Sequence, residues 1–172
     1  DLASVDESRR TVLDYRREAD PQTILAQVQA DYPDALIWRE GTTDIAGVDR
    51  YHLTEAQTLV VWSAPPDPLV WDAIHSIVQP QTLILFGQHA PFNKSQELVT
   101  HLAGLLKQTL KQGDGHVSIS DLAALTGQTD QTIRMGIKLL ASTTNLVAAP
   151  LTEDVYQLST KLSANHLPDN HY

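Results

Sequence analysis

A mixed α/β fold is what this sequence predicts: a small Rossmann-like parallel-sheet domain followed by a winged helix-turn-helix domain. Three observations carry that expectation. Up to residue 87, short β-branched runs alternate with amphipathic helical spacings. From residue 95 the pattern becomes helix, short helix, turn, helix and hairpin. Prolines and glycines punctuate the joints between these segments.

The first half reads as β-α-β…β-α-β. TVLDYR (Thr11–Arg16) is a strand by its β-branched start. Asp20 and Pro21 form a helix-start signal, an N-cap followed by proline at the first helical position. Ile24, Leu25, Val28 and Tyr32 continue at helical spacing, and Pro33 ends the run. ALIWRE (Ala35–Glu40) is the next strand, and the polar, glycine-bearing stretch after it is a connector holding at most a short edge strand or turn. TLVVWS (Thr58–Ser63) is almost wholly apolar, as a strand covered on both faces should be. APPDP breaks it, and Leu69, Val70, Ala73, Ile74 and Ile77 mark a second helix that Pro80 stops. TLILFG (Thr82–Gly87) is another buried strand. Such a rhythm implies parallel strands joined by right-handed crossovers.

The second half has a long helical pattern, Ser95–Gln112, with Leu98, Leu102, Leu105, Leu106 and Leu110 on one side. GDG at 113–115 ends it. Ser120 is read as the N-cap of a short helix through Leu125, and Gly127 as a turn. A helix opening near Thr129 or Asp130 turns Ile133, Ile137 and Leu140 inward, and two short strands joined at Pro150–Asp154 follow. The expected division is a sheet domain over 1–90, a winged-helix domain over 91–160, and a polar tail over 161–172.

Composition narrows the function. Of 172 residues, 42% are apolar and 19% charged, enough to bury a core and too little charge for a disordered chain. No cysteine is present, which excludes disulfides and thiolate metal sites. The longest apolar runs are too short to span a bilayer, and no basic-then-apolar leader opens the chain. A cytoplasmic protein with no membrane partner is therefore expected, and the polar opening DLASVDESRR, which starts at Asp1 rather than Met, reads as a cut from a longer chain or a processed N-terminus. The net charge of −9 is uneven: residues 1–92 hold 14 acids against 6 bases, and residues 93–172 hold 7 against 6. The first half should repel a phosphate backbone, and the second could hold single-stranded DNA weakly.

The candidate chemistry is thin. Gly41 and Gly47 bracket a connector with neither GxGxxG nor GxxxxGK[ST], so a nucleotide site is unsupported. Pro65, Pro66 and Pro68 remove amide donors from the loop where an anion would otherwise sit. The seven histidines show no HxxxH or HExxH spacing for zinc. Asp14, Asp67 and Asp72 could gather at a strand end, with nothing to place them beside a metal or base. Ser63 lacks the GxSxG elbow of a nucleophile. Trp38, Trp62 and Trp71 read as core or interface residues rather than as a stacking platform for bases. No catalytic residue and no metal ligand is assigned. The better candidate is the helix from Thr129 to Leu140, where Gln128, Gln131, Arg134 and Lys138 face outward as DNA- or partner-binding residues. Arg134 and Lys138 lie four apart and share a face, while Asp130 opposes phosphate.

The stretch LVVWSAPPDPLVWDAIHSIVQPQTLILFG resembles the C-terminal region of the bacterial RecJ family, the single-strand-specific DNA exonucleases, in its Gram-positive form. TVLDYR and DALIWREG resemble the strands that open that region, and ISDLAALTGQTDQTIRMGIKLLAS its terminal winged helix. The resemblance implies a parent enzyme that degrades single-stranded DNA from the 5′ end in repair and recombination. Its Asp-His-His core, with manganese or magnesium, would lie upstream. This chain would then need no cofactor. Its partners would be the parent's catalytic core, other DNA-repair proteins and, weakly, single-stranded DNA. The competing expectation is a winged-helix transcriptional regulator whose sheet domain senses a small ligand.

Overall fold

The computed structural model describes residues 10–41, 44–92 and 94–161. The chain forms two compact units. One runs to Asn93 and takes in Ala123–Thr129; the other comprises Lys94–Leu122 and the chain from Asp130 onward.

The first unit is a four-stranded parallel sheet with a helix on each face. Its strands are β1 (Thr11–Asp14), β2 (Leu36–Trp38), β3 (Thr58–Ser63) and β4 (Thr82–Gln88), in the order β1-β4-β3-β2. Helix α1 (Pro21–Asp31) joins β1 to β2, and α2 (Pro68–Val78) joins β3 to β4. Both helices start on the same Asp-Pro signal. The Asp20 carboxylate accepts from the Thr23 amide at 3.2 Å, and that of Asp67 from the Val70 amide at 2.8 Å. Each proline takes the first helical position, where an amide hydrogen would have no intrahelical acceptor.

The two crossovers travel in opposite directions along the sheet, so helices of the same handedness land on opposite faces. The packing shows this through the alternation of β3. Val60 and Trp62 point to α1 and join Leu25, Val28, Ile84 and Phe86. Leu59 and Val61 point to α2 and join Trp38, Ile74 and Val78. Burying a side chain of this size contributes about 1.5–3 kcal/mol, so both faces of β3 hold the unit together. On α2 the inward residues are Ile74 and Val78. Leu69 and Ile77, which fit the apolar spacing in sequence, stand outward, Leu69 at 78% exposure. The connector after β2 holds a 3-10 turn, Arg50–His52, and a single parallel bridge between Trp38 and Val48 in place of an edge strand.

The second unit contains α3 (Ser95–Gln112), β5 (His116–Ser118), the start of α4 (Ile119–Thr126), α5 (Asp130–Thr143), β6 (Leu146–Pro150) and β7 (Val155–Thr160). Its strands form an antiparallel sheet ordered β5-β7-β6. Leu102 and Leu106 of α3 and Ile133, Ile137 and Leu140 of α5 are buried, and the two helices pack together. They approach closely because residue 136 is glycine; a Cβ there would fall 2.6 Å from Leu102 Cδ2. Strand β5 had no counterpart in the sequence pattern. Three residues ending in Ser118 are too few to show a period.

The helix-start expectation at Ser120 is corrected by two residues. Ser118 caps α4, its Oγ accepting from the Asp121 amide at 3.0 Å, and Ser120 lies within the first turn. The reason is tertiary. Asp154, in the β6–β7 turn, takes the Ser120 amide at 2.8 Å, and its backbone carbonyl takes the Ile119 amide at 2.8 Å. Residues 162–172 of the polar tail lie outside the described residues, as do His166 and His171.

Candidate functional site

Helix α5 exists as an amphipathic element because Ile133, Ile137 and Leu140 recur at helical spacing and are buried. The opposite side carries Gln131, Met135, Lys138, Leu139 and Ser142, all exposed. Met135 is 64% exposed and Leu139 48%, and they stand four residues apart on one face. Lys138, beside Leu139, is the one exposed cation among the described residues of α5.

The four residues selected from sequence have different surroundings. Gln131 and Lys138 are exposed on α5. Arg134 is drawn off the outward face: its Nη2 donates to the Glu153 backbone carbonyl, and its guanidinium lies 5.9 Å from the Tyr156 ring centroid. Gln128 precedes α5 and belongs to the first unit, where its backbone carbonyl accepts from Arg50 Nη2 at 2.9 Å. Sequence reasoning passed over Met135 and Leu139. The available signal was that both fall off the stripe of Ile133, Ile137 and Leu140, so an exposed apolar pair was readable from spacing.

The β6–β7 turn is held in place by Asp154. Ser118 Oγ and Ser120 Oγ donate to its Oδ2 at 2.8 and 2.9 Å. Burial alone would raise this carboxyl's pKa; the donors from Ser118 and Ser120, with Arg134 nearby, outweigh it, and the net shift is downward from 3.8. The hairpin turn next to α5 is thus tied to the start of α4 through Asp154.

The other sequence candidates have structural partners. Asp14 is paired with Arg16 through two hydrogen bonds of 2.9 and 2.6 Å, which hold its pKa at about 2. Asp67 caps α2, and its carboxylate occupies the helix N-terminus where an anion would have bound. Ser63 is buried; its Oγ accepts from the Glu40 amide at 2.8 Å and donates to the Glu40 carbonyl at 2.7 Å, tying β3 to the end of β2. Glu40 is itself 2% exposed and is neutralised by Arg50, which donates through Nε at 2.8 Å and through Nη2. Trp38 and Trp62 are core residues, and Trp62 packs on Phe86 with ring centroids 5.1 Å apart. Among the described residues, no group of three or more His, Asp or Glu side chains is placed to hold a metal ion. No helix among them is long and apolar enough to cross a membrane.

The outward face of α5 thus offers an apolar pair and one exposed cation beside a hairpin pinned by Asp154. No protein-family model, curated protein or solved structure matches the chain.

Proposed function

We propose that this chain is the C-terminal accessory region of a RecJ-like 5′–3′ single-stranded-DNA exonuclease, and that its second unit is a winged helix used to dock protein. The observation that carries the docking role is the exposed pair Met135 and Leu139 on α5, with Arg134 turned into the hairpin. A DNA-reading helix presents cations and amides to phosphates and base edges. Here the same face presents apolar surface with a single lysine, the composition of a protein contact. The assignment to an exonuclease rests on the sequence resemblance. The order of a parallel-sheet unit followed by a helix, a short strand, two further helices and a hairpin supports it. Contact with single-stranded DNA is secondary in this reading, weak and salt-sensitive, because the chain carries a net charge of −9.

The experiment is Met135→Glu with Leu139→Glu in the full-length parent enzyme. Folding of the variant is checked by circular dichroism, and 5′-end degradation of long single strands is followed in time. The expected result is a shorter run per binding event, or loss of a repair protein that copurifies with the parent, with the rate on short oligonucleotides unchanged. Unchanged processivity together with unchanged copurification overturns the docking role. Tight, sequence-specific binding of duplex DNA by this chain overturns the exonuclease reading in favour of a transcriptional regulator.

A further inference from the structure

The second unit contains an apolar groove between α3, the end of α5 and the ends of β6 and β7. It encloses about 250 Å³. Leu106 and Leu110 of α3, Leu140 of α5 and Leu146 of β6 line it. Leu106, Leu140 and Leu146 are buried, and Leu110 is half-buried. Ala103 puts only a methyl group on the α3 wall.

Polar groups at the mouth are already used within the fold. Thr144 Oγ1 donates to the Leu140 carbonyl at 2.7 Å and accepts from the Leu146 amide at 3.1 Å. The Asn145 carbonyl accepts from the Lys161 amide at 2.8 Å. The groove therefore holds an occupant through apolar contact with the leucines. Its volume lies below the roughly 300–1,000 Å³ of sites for drug-sized ligands. That size suits one or two apolar side chains of a larger partner, anchored as peptide segments are anchored in grooves.

The surroundings of the groove select by charge. Residues 103–111, 140–146 and 158–161, which form it, hold Lys107, Lys111 and Lys161 and no Asp or Glu. The whole chain, by contrast, carries a net charge of −9. Lys107 lines the groove and is exposed, and Lys111, four residues on along α3, is exposed on the same face. Among the described residues neither lysine is held in an ion pair. A lysine ammonium is a point charge on a flexible stem, so its attraction for an anion does not depend on one fixed direction. Two kinds of anionic chain answer to such lysines, an acidic peptide and a nucleic acid. Single strands are held by stacking their bases on aromatic side chains, and the groove has no aromatic residue in its lining among the described residues. A peptide that carries both carboxylates and apolar side chains meets the lysines and the leucines together.

We propose that this groove docks an acidic segment of a partner protein, which inserts one or two apolar side chains between Leu106, Leu110, Leu140 and Leu146 and sets its carboxylates against Lys107 and Lys111. The site is distinct from the outward pair Met135 and Leu139, since α5 contributes Leu140 and Thr144 to it. The inference stands on the groove and is independent of the exonuclease reading.

The test uses a fluorescein-labelled peptide with Leu and Phe set between Asp and Glu residues. Anisotropy gives its affinity, and amide signals of the ¹⁵N-labelled chain give its place. Expected are saturable binding and shifts at Leu110, Asn145 and Leu146. A peptide with Ala in place of Leu and Phe should bind about tenfold or more weakly. Lys107→Glu/Lys111→Glu should lower affinity for the first peptide about tenfold, with an unchanged melting temperature. Absence of saturable binding overturns the proposal, as does an Ala peptide or a lysine variant that binds as its parent does. Shifts at Met135 and Leu139 in place of the groove signals overturn it in favour of the outward face of α5. Oligo-dT that moves the groove signals at higher affinity than the peptide overturns it in favour of nucleic acid. Groove signals that move on dilution of the chain alone overturn it in favour of a second copy.

Discussion

The guanidinium of Arg134, on the helix whose outward face was expected to meet DNA or a partner, donates to the backbone carbonyl of Glu153 in the hairpin turn. It also stacks near Tyr156. The side chain therefore acts as a brace between α5 and the β6–β7 hairpin, while Lys138, four residues on, is exposed.

Replacing Arg134 with Ala should lower the stability of the second unit by about 1–2 kcal/mol, the range for losing a charged hydrogen-bond donor at a partly exposed site. Lys138→Ala should stay within about 0.5 kcal/mol of the parent, as exposed substitutions do. Thermal denaturation of both variants is the measurement. Equal melting temperatures would show that the brace contributes nothing.

The buried pair Glu40–Arg50 predicts a larger and non-additive effect. Glu40 accepts from Arg50 through the side chain and, at 2.9 Å, through the Arg50 amide, and also receives the Trp38 indole at 3.3 Å. Arg50→Met leaves a carboxylate buried without its cation and should cost about 3–5 kcal/mol. Glu40→Met combined with Arg50→Met should recover part of that loss, since no uncompensated charge remains. Urea denaturation of the singles and the double gives the coupling directly. A strictly additive double would refute the pairing.

Asp154 predicts a pH dependence. Its pKa is lowered in the folded state, so it stabilises the second unit above the ordinary aspartate value of 3.8. That contribution is lost as the pH falls through the folded value. Melting temperature measured across the acid range should therefore fall more steeply in the parent than in Asp154→Asn, with the difference appearing below 3.8. The comparison isolates Asp154 from Asp14, whose pKa of about 2 works in the same sense in the first unit. Parallel curves for parent and variant would remove Asp154 as the cause.

Much of the element order was legible before any coordinates. The Asp20-Pro21 and Asp67-Pro68 starts are local, because a capping carboxylate and the helix amides it accepts lie within three residues. The buried strand β3 was legible for a different reason: a strand covered on both faces has no polar alternation to obscure it. The inward stripe Ile133, Ile137 and Leu140 on α5 followed from periodicity alone, and these residues are buried.

The rest depended on partners distant in sequence. Spacing placed Arg134 beside Lys138, and only the hairpin, reaching back through Glu153 and Tyr156, gave the two residues different roles. Ser118 became the cap of α4 because Asp154 closes the turn from 36 residues away. Val78 rather than Ile77 faces the sheet because the helix phase is set by what it packs against. The apolar groove was invisible in the chain, since Leu106, Leu140 and Leu146 meet only when α3, α5 and β6 pack together. Local chemistry determined where helices and strands begin and end. Tertiary packing decided which of their side chains are available to anything else, because a hydrogen bond or buried contact made across the fold removes a group from the surface whatever its neighbours in sequence suggest.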